Sequence, residues 1–205
     1  MGDLRNLQRE INDSYAEATG VQTTITDGYP SYYGFRGGFL LSTTESEEDQ
    51  ILYGGFIDYT STGGRIDYQD YSGMLRVDQI VSAWSFGPTA IYRKSYSELF
   101  CINYETSIQL VQSQLHNVFN LRIGSSSKNQ IADFHSLSFG IEPSIQPSLK
   151  FLGCMAGISL SYLFFLPTSL EYDNYSDAYL VNKNGDRVTI DWGGFKFGLS
   201  AEFSF

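Results

Sequence analysis

Cationic side chains are scarce in this chain. Thirteen lysines and arginines face 23 aspartates and glutamates, a formal net charge of -10 with a pI near 4.5. A surface so acidic argues against binding nucleic-acid phosphates, which calls for basic patches. Long apolar runs are absent too. The mean hydropathy is -0.19, and no stretch of about 18 apolar residues exists, which excludes a membrane-spanning helix. Residues 1–10 (MGDLRNLQRE) contain no apolar core of a secretory signal. An exported protein is therefore expected here in a mature or shortened form.

Cysteine and histidine are equally sparse. Cys101 and Cys154 fall on separate alternating segments and on opposite parities. That pattern fits neither a disulfide framework nor a metal site and predicts free thiols. His116 and His135 are the only histidines. A nucleophile, a base and an orienting acid must converge for acyl transfer. His135 beside Ser136 cannot do this easily, because neighbours on a strand point to opposite faces. His135 reads instead as a rim histidine next to Asp133. There is no Gly-rich phosphate loop, no His-Glu metal spacing and no CxxC.

What the chain does hold is alternation. It carries 15 tyrosines, 15 phenylalanines and 20 glycines. Residues 195–205 alternate without a fault. Phe195, Phe197, Leu199, Ala201, Phe203 and Phe205 share one parity; Lys196, Gly198, Ser200, Glu202 and Ser204 share the other. Such a strand has one apolar and one polar face. Six earlier segments repeat it. They are marked by Tyr33–Leu41, Ile51–Tyr59, Ile80–Tyr92, Phe100–Leu110, Leu137–Ile145 and Leu152–Phe164. Phe56 sits on the polar side of the second, and Val81 and Ser82 break the rule in the third. Tyr33, Tyr59, Trp84, Tyr92, Tyr104 and Tyr162 lie on the apolar parity, where an interfacial belt would place them.

One helical pattern precedes the strands. Leu4, Leu7, Ile11 and Tyr15 recur at spacings of three and four over residues 3–18, with Asp3 a plausible N-cap and Gly20 a stop. The division expected is a helical and loop segment at 1–30 and a β-barrel domain at 31–205.

Connection lengths alternate. Residues 43–50, 94–98 and 146–150 read as short, and 61–74, 123–132 and 167–187 as long. Short turns at one end and long loops at the other are the build of an outer-membrane barrel. The fold expected is all-β: an antiparallel up-and-down transmembrane barrel of about eight strands, seven of them evident. The eighth is expected either at residues 20–28 or, preferably, before Met1.

The MGDL start, the TSTGGRIDYQDYSG stretch at 60–73, the SFGP segment at 85–88 and the aromatic terminal strand resemble the small outer-membrane β-barrel proteins common in Bacteroidota. The resemblance implies outer-membrane lipid as surroundings. It also implies insertion by the outer-membrane assembly machinery, which would read Phe203 and Phe205 as a signal. It implies no activity.

The inward parity carries Arg36, Asp58, Glu105, Glu142, Lys196 and Glu202. Buried charges must pair to be tolerated, so these are expected to form a structural network plugging a narrow lumen. The loop residues Glu171, Asp173 and Asp177 fit no calcium-loop spacing and read as a solvated surface. The function expected is a non-enzymatic, monomeric envelope protein with a structural or surface-interaction role, without cofactor or metal. The alternatives are a narrow barrel binding or transporting a small hydrophobic molecule, an embedded lipid-modifying enzyme, and a soluble lipid-binding barrel.

Overall fold

A computed structural model describes residues 1–19, 23–43, 49–71, 73–151, 153–173, 175 and 177–203. Helix α1 (Gly2–Thr19) opens the chain. It buries Leu4, Leu7 and Gln8, with Ile11 and Tyr15 half-buried on the same face. The helix begins at Gly2, so Asp3 is not the N-cap. It lies in the first turn, where its carboxylate accepts from the Thr189 backbone N–H and hydroxyl at 3.2 and 2.6 Å. A negative charge there also suits the positive end of the helix dipole.

The strands are β1 (Thr24–Gly28), β2 (Tyr33–Ser42), β3 (Asp49–Gln69), β4 (Gly73–Ser95), β5 (Phe100–Ile123), β6 (Ser126–Phe151) and β7 (Cys154–Phe165). Then come the short β8 (Thr168–Ser169), β9 (Glu171–Tyr172) and β10 (Thr189–Ile190), and finally β11 (Gly194–Phe203). One antiparallel meander runs β2–β3–β4–β5–β6–β7–β11. β1 does not open a new column. It pairs with β3 at residues 64–67, in line with β2, which pairs with β3 at residues 52–61. The segment 20–28 therefore does not supply an eighth strand between β2 and β11, and its residues 20–22 lie outside the described part.

β2 and β11 run the same way, so no antiparallel ladder joins them directly. Their side chains nonetheless meet inside the curled sheet, on Glu142 of β6. Inner-parity Arg36 and Gly38 of β2 stay exposed where Ser107 and Gln109 of β5 are buried.

The sheet is inside out for a water-soluble protein. Its outer parity exposes Phe86, Ile108, Phe139, Ile141, Ile158, Phe197 and Leu199, the last at 89 %. Its inner parity buries Thr60, Ser85, Thr89, Asn103, Gln109, Ser138, Glu142 and Ser161. Both free thiols follow the parity reading: Cys101 is buried inside, Cys154 is half-buried on the outer side.

Three connections differ from expectation. Residues 61–74 and 123–132 are not loops. β3 to β6 run 21, 23, 24 and 26 residues; the Asp70 N–H donates to the Gly73 carbonyl at 2.9 Å where β3 meets β4, and β5 turns into β6 at residues 124–125. The outer parity stays polar there, with Arg65 paired to Asp78 across the ladder and Arg76 paired to Asp78 along β4, so alternation continues without a greasy face. Gly124, at φ +58°, makes the second turn. At the other end the predicted 146–150 turn is strand. Pro147 sits inside β6, which runs on to Phe151, and Gly153 takes a left-handed φ of +75° just before β7. β2, β7 and β11 run only 10, 12 and 10 residues, so the four long strands form a wall projecting beyond the rest of the sheet.

The inner parity changes character along that wall. At the turn end, where residues 96–99 join β4 to β5, it mixes Arg93, Asn103 and Ser148 with Leu52, Ile91 and Met155, and midway, from Asp58 to Ser161, it is polar. Toward the helix end it becomes apolar, with Val81, Ala83, Val111, Leu115, Phe134 and Leu163 packed against Leu4, Leu7, Tyr29, Leu170, Ile190 and Trp192. Higher still, Ile66, Leu75 and Val77 pack with Ile11, Tyr15, Ile25 and Phe119. Val81, an exception in the pattern, belongs to this plug. α1 sits close on β3 because Gly64 lacks a side chain: a Cβ there would lie 2.7 Å from the Gln8 amide and 2.9 Å from the Tyr29 ring.

Candidate functional site: the charged lumen and its helical cap

The sheet brings five of the six predicted lumenal charges together. Arg36, on β2, reaches Asp58 at 3.2 Å, Glu105 at 3.6 Å and Glu142 at 3.0 Å. Lys196, on β11, reaches Glu142 at 2.9 Å and Asp58 at 3.9 Å. Each position follows from parity: the even residues of β2, β3, β6 and β11 and the odd residues of β5 face inward.

Glu142 is the hub. Its side chain is 4 % exposed, and both carboxylate oxygens are engaged. Oε1 accepts from Ser161 at 2.9 Å; Oε2 accepts from Arg36, Lys196 and, at 3.2 Å, Gln109. Glu105 accepts from Thr89 at 2.8 Å and Ser107 at 3.3 Å. The network thus meets the demand that buried carboxylates be paired and fully hydrogen-bonded.

The sixth charge, Glu202, lies nearer the turn end. It accepts from Arg93 at 2.6 Å, and Arg93 also donates to Asn103 at 2.9 Å. The third alternating segment, read from Ile80 to Tyr92, stops one residue short of Arg93. One more step of the same parity finds it.

Phe56, the apolar exception on the inward parity, also belongs here. The Arg36 guanidinium lies 4.4 Å from its ring centroid. The ring supplies a face for the cation while Asp58 and Glu142 take its N–H groups. Beneath the network a cavity of about 750 Å³ opens toward the turn end, lined by Arg36, Arg93, Asn103, Glu105 and Glu202 among others. Above it stands the apolar plug. There Trp192 is buried, donating its indole N–H to Ser113 at 2.9 Å and packing edge-on against Tyr32 at 5.4 Å.

The remaining candidates are placed as follows. His135 faces outward at the helix end, with Nδ1 2.7 Å from Asp173 and Nε2 3.9 Å from Glu171. Ser136 is buried on the opposite face. His116 pairs with Asp133 on the same outer face. Glu171 and Asp173 therefore tie β9 to β6 rather than standing together as a cation cage. Asp177 occupies a left-handed backbone conformation at φ +67°. Phe203 is exposed on the outer parity of β11; Phe205 lies outside the described residues.

The outer tyrosines and tryptophan lie at two levels, with phenylalanines such as Phe86 and Phe139 between them. At the helix side, Phe35, Tyr59 and Trp84 touch across β2, β3 and β4, with centroids 5.6 and 4.8 Å apart in sequence. Tyr162 and Phe195 meet at 4.9 Å across β7 and β11. At the turn side, Tyr92 and Tyr104 stack at 6.2 Å across β4 and β5. Trp84 and Tyr92 are eight residues apart on β4, or about 27 Å along the strand.

Comparison with known proteins finds no matching family model, no matching curated relative and no matching solved structure.

Proposed function

We propose that this chain is an outer-membrane β-barrel protein with a structural or surface-interaction role, working at its helix end and carrying out no catalysis. The observation that carries this reading is the exposed apolar outer face bounded by two aromatic levels. A strand length of about 27 Å, at a tilt of about 40°, gives a band of about 20 Å, close to the apolar height of such barrels. Charged residues begin beyond it, with Asp78 and Arg76 above Ile80 and Lys94 below Tyr92.

On this reading the turn end is periplasmic. The projecting wall, α1 and residues 166–193 are external. The surroundings are lipid, and assembly runs through the terminal strand. Two layers lie across the lumen, the Arg36–Glu142–Lys196 network and the apolar plug beneath α1, and both weigh against a transport path. External loops on a rigid barrel are where recognition would reside.

The test is refolding into lipid vesicles. The expected result is a species that migrates differently on denaturing gels with and without boiling and stays with the vesicles through an alkaline wash. Recovery as a monodisperse monomer without detergent or lipid would overturn the proposal.

A further inference from the structure

A second cavity lies within the cap, between α1 and the inner face of the projecting wall. Its volume is about 680 Å³, within the range of small-molecule sites. Leu7, Ile11, Val77 and Phe119 make its apolar floor. The Tyr15 ring stacks on Phe119, with centroids 5.6 Å apart and planes 16° from parallel.

Two opposite charges line the same cleft: Glu10 from α1 and Lys183 from the loop after β9. The chain brings the two residues together, because Glu10 Oε2 accepts from the Lys183 backbone N–H at 3.0 Å, while the Lys183 side chain is exposed. Yet the carboxylate and the Lys183 ammonium do not form an ion pair. Among the described residues neither has another charged partner within 4.0 Å. Deeper in the cleft, the buried Asn117 Oδ1 has no hydrogen-bond partner. Such a group costs free energy unless something donates to it.

We propose that this cleft binds an apolar zwitterion, an amino acid with an aromatic or aliphatic side chain. Its ammonium would sit on Glu10, its carboxylate on Lys183 and its side chain over the floor. An acidic and a basic residue that line one cleft without pairing suit a ligand that carries both charges. The apolar floor of Leu7, Ile11, Val77 and Phe119 favours an apolar side chain over a polar one, which would lose its hydration there. The site deepens the reading of the helix end as the working end.

The test uses the full chain in lipid nanodiscs and three probes: L-phenylalanine, phenethylamine and 3-phenylpropionate. They share a ring and differ in which charges they carry. Saturation-transfer NMR is expected to rank phenylalanine first. Glu10→Gln keeps an acceptor for the Lys183 N–H and removes the charge. It is expected to weaken phenylalanine and phenethylamine about two- to fivefold, the scale of a solvent-accessible ion pair, and to spare 3-phenylpropionate. Lys183→Met keeps the apolar stem. It is expected to weaken phenylalanine and 3-phenylpropionate by a similar factor and to spare phenethylamine.

Equal binding of all three probes, saturation transfer from none of them, or indifference of phenylalanine to both substitutions would overturn the site. An unchanged gel mobility shift in both variants shows that the barrel is intact. Binding in detergent solution reads the cleft without reference to the membrane. A chain that bound phenylalanine but failed to stay with vesicles would lose its proposed location and keep its site.

Discussion

Arg36 and Lys196, from the two edge strands of the sheet, donate to one and the same oxygen, Glu142 Oε2, at 3.0 and 2.9 Å. β2 and β11 share no ladder among the described residues, so this carboxylate is a polar tie between the first and last columns of the meander. Glu142→Ala removes the tie and leaves two cations facing Asp58 and Glu105 alone. Breaking a buried ion pair by deleting one partner costs about 3–5 kcal/mol. The Arg36 side chain is 27 % exposed, which places the expected loss at the lower end. Urea unfolding of the vesicle-bound protein measures it. A loss confined to a few tenths of a kcal/mol would mean that the edges are held by something else.

Phe56 is the face on which Arg36 lies. Phe56→Leu keeps most of the apolar bulk and removes the ring quadrupole. The expected cost beyond lost area is about 1 kcal/mol. A double-mutant cycle with Arg36→Met isolates it. A coupling energy of zero would reduce Phe56 to a filler of lumenal space.

Phe56 and Val81 also mark how far the sequence could be read. Both broke the alternation for the sake of a partner that local periodicity does not show: Arg36 on the neighbouring strand β2 for Phe56, the sequence-distant α1 plug for Val81. Period-two patterning assigns a face to every residue, which is why the lumenal carboxylates and their cations were legible from parity alone. It does not say what lies across the lumen. The two misread loops fail for a related reason. At Arg65, Asp67, Arg76 and Asp78 the outer face is charged, so strand and solvated loop look alike in composition. Only the ladder shows that the wall continues. The zwitterion cleft needed the wall and the helix together and left no local signal.

Asp78 gives that wall a pH dependence. Partial burial pushes its carboxyl up, but hydrogen bonds and charge from Arg65 and Arg76 outweigh this and leave it below its ordinary 3.8. A group whose folded pKa is depressed stabilises the fold above its unfolded pKa, and that contribution fades as pH falls through the folded value. The β3–β4 hairpin tip is therefore expected to keep its order down through pH 3.8 and to loosen only below it. Amide exchange at Arg65 and Arg76 follows the tip; Asp78→Asn is expected to flatten the profile. A midpoint at or above 3.8 would contradict the paired geometry.

The two tryptophans separate a lipid-facing barrel from a soluble one. Trp84 is 43 % exposed on the outer face, within the Phe35–Tyr59 cluster, whereas Trp192 is 1 % exposed inside the plug. Trp192→Phe leaves Trp84 as the single emitter, and Trp84→Phe leaves Trp192. In vesicles containing brominated lipid, the Trp84 emission is expected to be quenched strongly and the Trp192 emission weakly. Aqueous iodide is expected to reach neither well, because lipid covers one and packing covers the other. In a soluble fold with the same sheet, iodide would quench Trp84 and brominated vesicles would not. Trp192→Phe also forfeits the hydrogen bond to Ser113. A destabilisation of about 1 kcal/mol is expected from that loss, so the variant remains folded at the temperature of measurement.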